Sequence, residues 1–146
     1  KYVEPTKGFT VVATANTKGK GSEDGRFVGT NVLNEAFLER FPVTFEQQYP
    51  SPVSEQKILD LMNSDAEFNK RLVDWADIIR KTFFDGGIDE IISTRRLVHI
   101  VRAYQIFGNR AKAITTCISR FDDETKQAFQ ELYDKVDADV DFDQEV

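Results

Sequence analysis

Phe9-Thr10-Val11-Val12-Ala13-Thr14-Ala15-Asn16-Thr17 and Leu33-Asn34-Glu35-Ala36-Phe37-Leu38-Glu39-Arg40-Phe41 decide how this chain is read. Residues 9–15 form a continuous apolar and β-branched run, the pattern of a strand buried on both faces of a parallel sheet. Its end presents an amide, Asn16. The second stretch spaces Leu33, Phe37 and Phe41 by four, so a helix is expected from a cap at Thr30 or Asn31 to Arg40. Pro42 pushes Phe41 out of helical geometry and ends it. Residues 43–46 read as a second, short strand. An amide at a strand end and an arginine at a helix end suit a site that handles a phosphate chain.

Working outward, residues 17–30 carry Gly19, Gly21, Gly25 and Gly29 among polar side chains and read as a loop. From Pro50 onward the pattern is helical. Ser51-Pro52 supplies a cap and a proline at the first helical position for a helix to about Met62. Ser64 and Glu67 have the spacing of a capping box. Behind them Phe68, Leu72, Trp75, Ile79 and Phe83 form one stripe, stopped by Asp85-Gly86-Gly87. Ser93 opens a helix with Leu97, Ile100, Val101, Tyr104 and Phe107 facing inward, closed at Gly108-Asn109. Two further helices are expected over about 110–120 and 122–136. The fold class is therefore mainly α with a small α/β remnant. Residues 1–49 hold the remnant, 50–137 a helical unit, and 138–146 an acidic tail.

Charge and cysteine usage exclude several functions. Residues 134–146 carry a net charge of −5 out of the chain's −6, so the body is nearly neutral and nucleic-acid backbone binding is disfavoured. One Cys and one His exclude a disulfide framework and a zinc site of the usual ligand count. No apolar run reaches membrane-span length and no leader pattern opens the chain, so a cytoplasmic location is expected. The chain begins at Lys1 and is expected to enter a strand almost at once, so a piece of something longer is expected.

Each candidate motif has a plainer reading beside it. The loop from Gly19 to Gly25 lacks the spacing of a phosphate-cradling P-loop or a dinucleotide fingerprint, so it reads as surface loop. Ile88-Asp89-Glu90 lacks the apolar strand that precedes a magnesium-holding acidic pair. Asp137-Ala138-Asp139-Val140-Asp141 begins like a calcium loop, but Phe142 stands where the turn needs glycine; a solvated, frayed tail is the better reading. On composition alone Arg40 serves its helix dipole, and Asn16 caps a turn as readily as it serves chemistry. Arg95 opposes the dipole of its helix, which invites an anionic ligand at the free N–H groups. Arg95, His99 and Arg102 share one face, which unaided reads as solvated.

The order of these features changes that balance. Strand, Ala13-Thr14-Ala15-Asn16-Thr17, glycine loop, the 33–41 segment and Ser93-Thr94-Arg95 opening a helix closely resemble the second half of a ring-forming AAA+ ATPase. The MoxR type, including cobaltochelatase ATPase subunits, is the branch it most resembles, over residues 9–107. The resemblance implies the last strands of a P-loop NTPase core followed by a C-terminal helical lid. It implies that Asn16 is the sensor-1 residue that positions the attacking water, and that Arg40 is the arginine finger reaching a neighbouring subunit's nucleotide. It makes Arg95 the sensor-2 arginine on the γ-phosphate, with Arg96 as a possible substitute. The family often has Pro where Thr94 stands.

The resemblance also implies ATP and Mg2+ in the intact protein, a homo-oligomeric ring (a hexamer), and a partner protein that is remodelled or a chelatase action that is driven. Neither a Walker A nor a convincing Walker B motif is present, so this chain alone is expected neither to bind ATP tightly nor to hydrolyse it. No residue is assigned to a metal, and neither membrane nor nucleic acid is an expected partner. The competing reading is a helical interaction module without nucleotide chemistry; a DNA-remodelling helicase relative is a weaker third.

Overall fold

The computed structural model describes residues 2–15 and 32–142, in two units that divide between Gln47 and Gln48. In the first unit, α1 (Glu35–Leu38) is a single turn. The expected helix was longer because the four-residue apolar spacing ran through Asn34. That residue is instead extended, and its Oδ1 accepts the Ala36 N–H at 2.8 Å. An asparagine that caps cannot also continue the helix upstream. Arg40 follows in a turn closed by its N–H on the Phe37 carbonyl, and the Phe37 and Phe41 rings meet edge to face at 5.5 Å.

Neither expected strand forms among the described residues. Phe9, Val11, Val12, Val43 and Phe45 are all exposed. A strand of the doubly buried kind needs neighbours on both edges to take its N–H and C=O groups, and no described residue supplies that ladder. The α/β remnant is therefore not seen. Asn16, and the glycine loop after it, lie outside the described residues.

The second unit is built of α2 (Pro52–Asp60), α3 (Ala66–Phe84), α4 (Thr94–Phe107), α5 (Arg110–Ile118) and α6 (Asp123–Asp134). Caps set most of the boundaries. Ser51, Ser93, Asn109 and Asp122 each accept the backbone N–H three residues on. The Ser64–Glu67 capping box does not form. Asp65 caps α3 through the Phe68 N–H at 3.0 Å, one residue later than expected. Gly108 closes α4 in the left-handed region, φ 65°, and lets α5 start two residues later.

The core follows the apolar stripes. Phe68, Leu72, Trp75 and Ile79 of α3 pack with Leu97 and Ile100 of α4, Ile114 of α5, and Phe129 and Tyr133 of α6, all fully buried. Trp75 stands at the α3–α6 seam, edge-on to the Phe129 and Tyr133 rings, and its indole N–H donates to the Phe129 carbonyl at 2.8 Å. No described helix is long and apolar enough to cross a membrane.

At Asp137 the solvated reading is corrected, because this residue is completely buried. Its carboxylate accepts from Arg71 at 2.5 Å, from Arg110 at 3.3 Å and from the Tyr133 hydroxyl at 3.2 Å. Val140 and Phe142 pack on the core behind it. Alternating Asp and apolar residues looked solvated because the two cations that neutralise Asp137 lie 27 and 66 positions away.

Candidate functional site at the start of α4

The first turn of α4 is the candidate site. Ser93 is extended and caps the helix, its Oγ accepting the Arg96 N–H. The N–H groups of Thr94 and Arg95 have no partner among the described residues, and the first turn contains no acidic residue. Such a terminus carries partial positive charge directed outward.

The adjacent arginines have separate fates. Arg95 is exposed and pairs with no described residue. Arg96 is half-buried and donates to the Cys117 carbonyl at 2.9 Å, in the last turn of α5. Burial, with Arg120 nearby, holds the Arg96 guanidinium below its ordinary pKa. Burial pushes the Cys117 thiol up, against the pull of Arg96. Arg96 thus fastens α4 to α5, while Arg95 remains available.

The arginines of the helical unit sharpen the contrast. Arg71 pairs with Glu67 and Asp137, Arg80 with Glu55, and Arg110 with Asp65 and Asp137. Arg120 lies 4.6 Å from the Phe121 ring centroid. Among the arginines of the helical unit only Arg95 and Arg102 lack such a partner among the described residues, and both lie on the exposed side of α4 with His99 between them.

What holds this turn in place was not visible from sequence. Arg80 of α3, 8% exposed, makes a two-pronged pair with Glu55 of α2, 1% exposed, at 2.7 and 2.8 Å. The Arg80 Nε donates to the Ile92 carbonyl at 3.0 Å, just before the α4 cap. The Thr94 hydroxyl donates to Glu55 at 2.5 Å. Tyr49 lays its ring 4.1 Å from the Arg80 guanidinium carbon. The available signal was a carboxylate at Glu55 on the same helical face as buried Leu59; nothing local identified its partner.

Arg40 belongs to the first unit, where it is exposed. No group of three or more His, Cys, Asp or Glu among the described residues is arranged to hold a metal ion.

A family model described as CbbQ/NirQ/NorQ C-terminal matches residues 55–136, more than half of the chain and nearly all of the helical unit. The chain belongs to this family. An aerobic cobaltochelatase subunit CobS from Sinorhizobium sp is similar at 26% identity over 137 residues, covering 88% of this chain and 40% of that protein. The chain therefore spans well under half the length of the curated relative it matches. No solved structure matches. The resemblance to the C-terminal portion of MoxR-type AAA+ proteins is thereby borne out, and within the CbbQ/NirQ/NorQ C-terminal domain α4 begins at its middle.

Proposed function

We propose that this chain is the lid-bearing C-terminal portion of a ring-forming AAA+ ATPase, with Arg95 as its γ-phosphate sensor. The observation that carries this reading is the exposed, unpaired Arg95 beside two open N–H groups at a helix start, in a unit whose other arginines, Arg102 excepted, are occupied. A guanidinium with no internal partner forms charge-assisted bonds to a terminal phosphate without first breaking any. ATP and ADP differ by that phosphate, so a lid holding Arg95 distinguishes them by differential contact. Arg96 is the poorer candidate, because reaching a nucleotide would release the Cys117 carbonyl.

The finer assignments extend the same reading. Arg40, exposed after its short helix, is assigned to the neighbouring subunit's nucleotide as the arginine finger, and Asn16 to the attacking water. Phosphoryl transfer depends on placement and charge neutralisation, the two things these side chains supply. ATP, Mg2+ and the P-loop come from the remainder of the machine, which assembles as a homo-oligomeric ring. The work done is remodelling of a partner protein or, as the name of the CobS relative indicates for that protein, a cobaltochelatase role.

The test is a pair of substitutions in the intact ATPase. Arg95→Ala abolishes most of the preference for ATP over ADP, read by nucleotide titration. Arg40→Ala retains ATP binding and lowers turnover by about 10³-fold or more. Unchanged nucleotide preference in Arg95→Ala refutes the sensor assignment, and unchanged turnover in Arg40→Ala refutes the finger.

A further inference from the structure

We infer that Tyr49, Arg80, Glu55 and Thr94 form a positioning relay tying the segment that joins the two units to the first turn of α4, and through it to Arg95. The inference rests on the sensor reading of Arg95 and adds how that arginine is held and what it reports to.

Every link is a direct contact. Tyr49 follows the Gln47–Gln48 division by one residue and precedes Pro50, Ser51 and Pro52. Two prolines fix their own φ and keep the residues before them extended, so the joining segment has little slack between Tyr49 and α2. The Tyr49 ring lies against the Arg80 guanidinium. Arg80 spends its planar fork on Glu55 and its Nε on the Ile92 carbonyl. Glu55 receives the hydroxyl of Thr94, whose neighbour is Arg95.

The geometry is more specific than support of a helix end requires. A cap at Ser93 already starts α4, and Leu97 and Ile100 already hold it to the core. The buried ion pair is a costly way to add mere stability, since well-packed apolar residues commonly serve as well or better. What it supplies is direction. A two-pronged pair fixes Arg80 in one plane, which presents one face to Tyr49 and one edge to the α4 approach. Small shifts of the first turn are thereby transmitted to the joining segment, and shifts of that segment to the first turn. If the contacts couple the two ends in this way, a change at Tyr49 alters the affinity of the nucleotide that Arg95 senses.

Thr94→Val and Tyr49→Leu test the relay in the intact ATPase. Both spare the Arg80–Glu55 pair and the Ser93 cap, so the fold is retained, and thermal melting checks this. ATP and ADP dissociation constants are titrated for each variant, for Thr94→Ser, and for Arg95→Ala. Each of the first two variants is expected to weaken ATP binding by about fivefold or more while leaving ADP within about twofold. Thr94→Ser, which keeps the hydroxyl, restores the wild-type ratio. A wild-type ATP-to-ADP ratio in either Thr94→Val or Tyr49→Leu, with the ratio collapsed in Arg95→Ala, overturns the relay and leaves the sensor reading intact. An unchanged ratio in Arg95→Ala overturns both.

Discussion

The two units contain the same kinds of apolar side chain and place them oppositely. In residues 48–142, Phe68, Leu72, Trp75, Ile100 and Phe129 are sealed from solvent. In residues 2–47, Phe9, Val11, Val12, Val43 and Phe45 face it. Hydrophobicity does not separate these sets; the destination of the backbone hydrogen bonds does. A helix closes its own and needs neighbours only for one stripe of side chains. A strand borrows its ladder from other strands, and without one its β-branched run has nothing to be buried against. The helical unit therefore states its structure locally, whereas the 9–15 and 43–46 segments state half of a contract.

The largest effect expected from breaking this contrast is at Trp75. Trp75→Ala removes the ring packed against Phe129 and Tyr133 together with its bond to the Phe129 carbonyl, and is expected to cost the helical unit about 3–5 kcal/mol. Urea unfolding followed by circular dichroism reads that loss as a lower midpoint. A change under about 1 kcal/mol would mean that the α3–α6 seam is not the centre of the unit.

A smaller effect follows from acid. Burial would raise the Asp65 carboxyl, but the Phe68 N–H and Arg110 hold it below its ordinary value. A depressed folded-state pKa gives stability that is present above the unfolded value of about 3.8–3.9 and lost as pH falls through the folded value. The urea midpoint should thus fall as pH drops below about 5 and through the depressed folded-state value, and Asp65→Asn should narrow the fall. An equal fall in that variant would assign the acid sensitivity elsewhere.

The smallest effect belongs to the first unit. Phe45, 89% exposed, has little to lose, so Phe45→Ser should move the unfolding of the helical unit by less than about 0.5 kcal/mol. A larger change would show that this ring is buried in solution and that the contrast between the units is weaker than drawn.

Legibility in the sequence followed the same divide. The stripe from Phe68 to Ile79, the cap at Ser93 and the stop at Gly108 were readable because each depends on residues within four positions. The start of α1 was misplaced because the four-residue spacing of Leu33 and Phe37 continued across a capping asparagine. Asp137 was misread because its partners, Arg71 and Arg110, come from α3 and α5. At the candidate site, Arg95 was legible as a charge set against a helix dipole. That Arg96 is tied to Cys117, and that Glu55, Arg80 and Tyr49 stand behind Thr94, was not, since those contacts span 21 to 39 positions or join side chains with no shared pattern. Family membership rests on the helical unit, where local signals and long-range packing agree.

Trp75 is the chain's single tryptophan, and it is enclosed between two helices with its indole nitrogen engaged. Ultraviolet emission excited at the red edge of protein absorption therefore originates from one spot in the helical unit. Such light reports the opening of the α3–α6 seam and is blind to the first 47 residues. It offers a native optical label for the helical unit, with no dye attached.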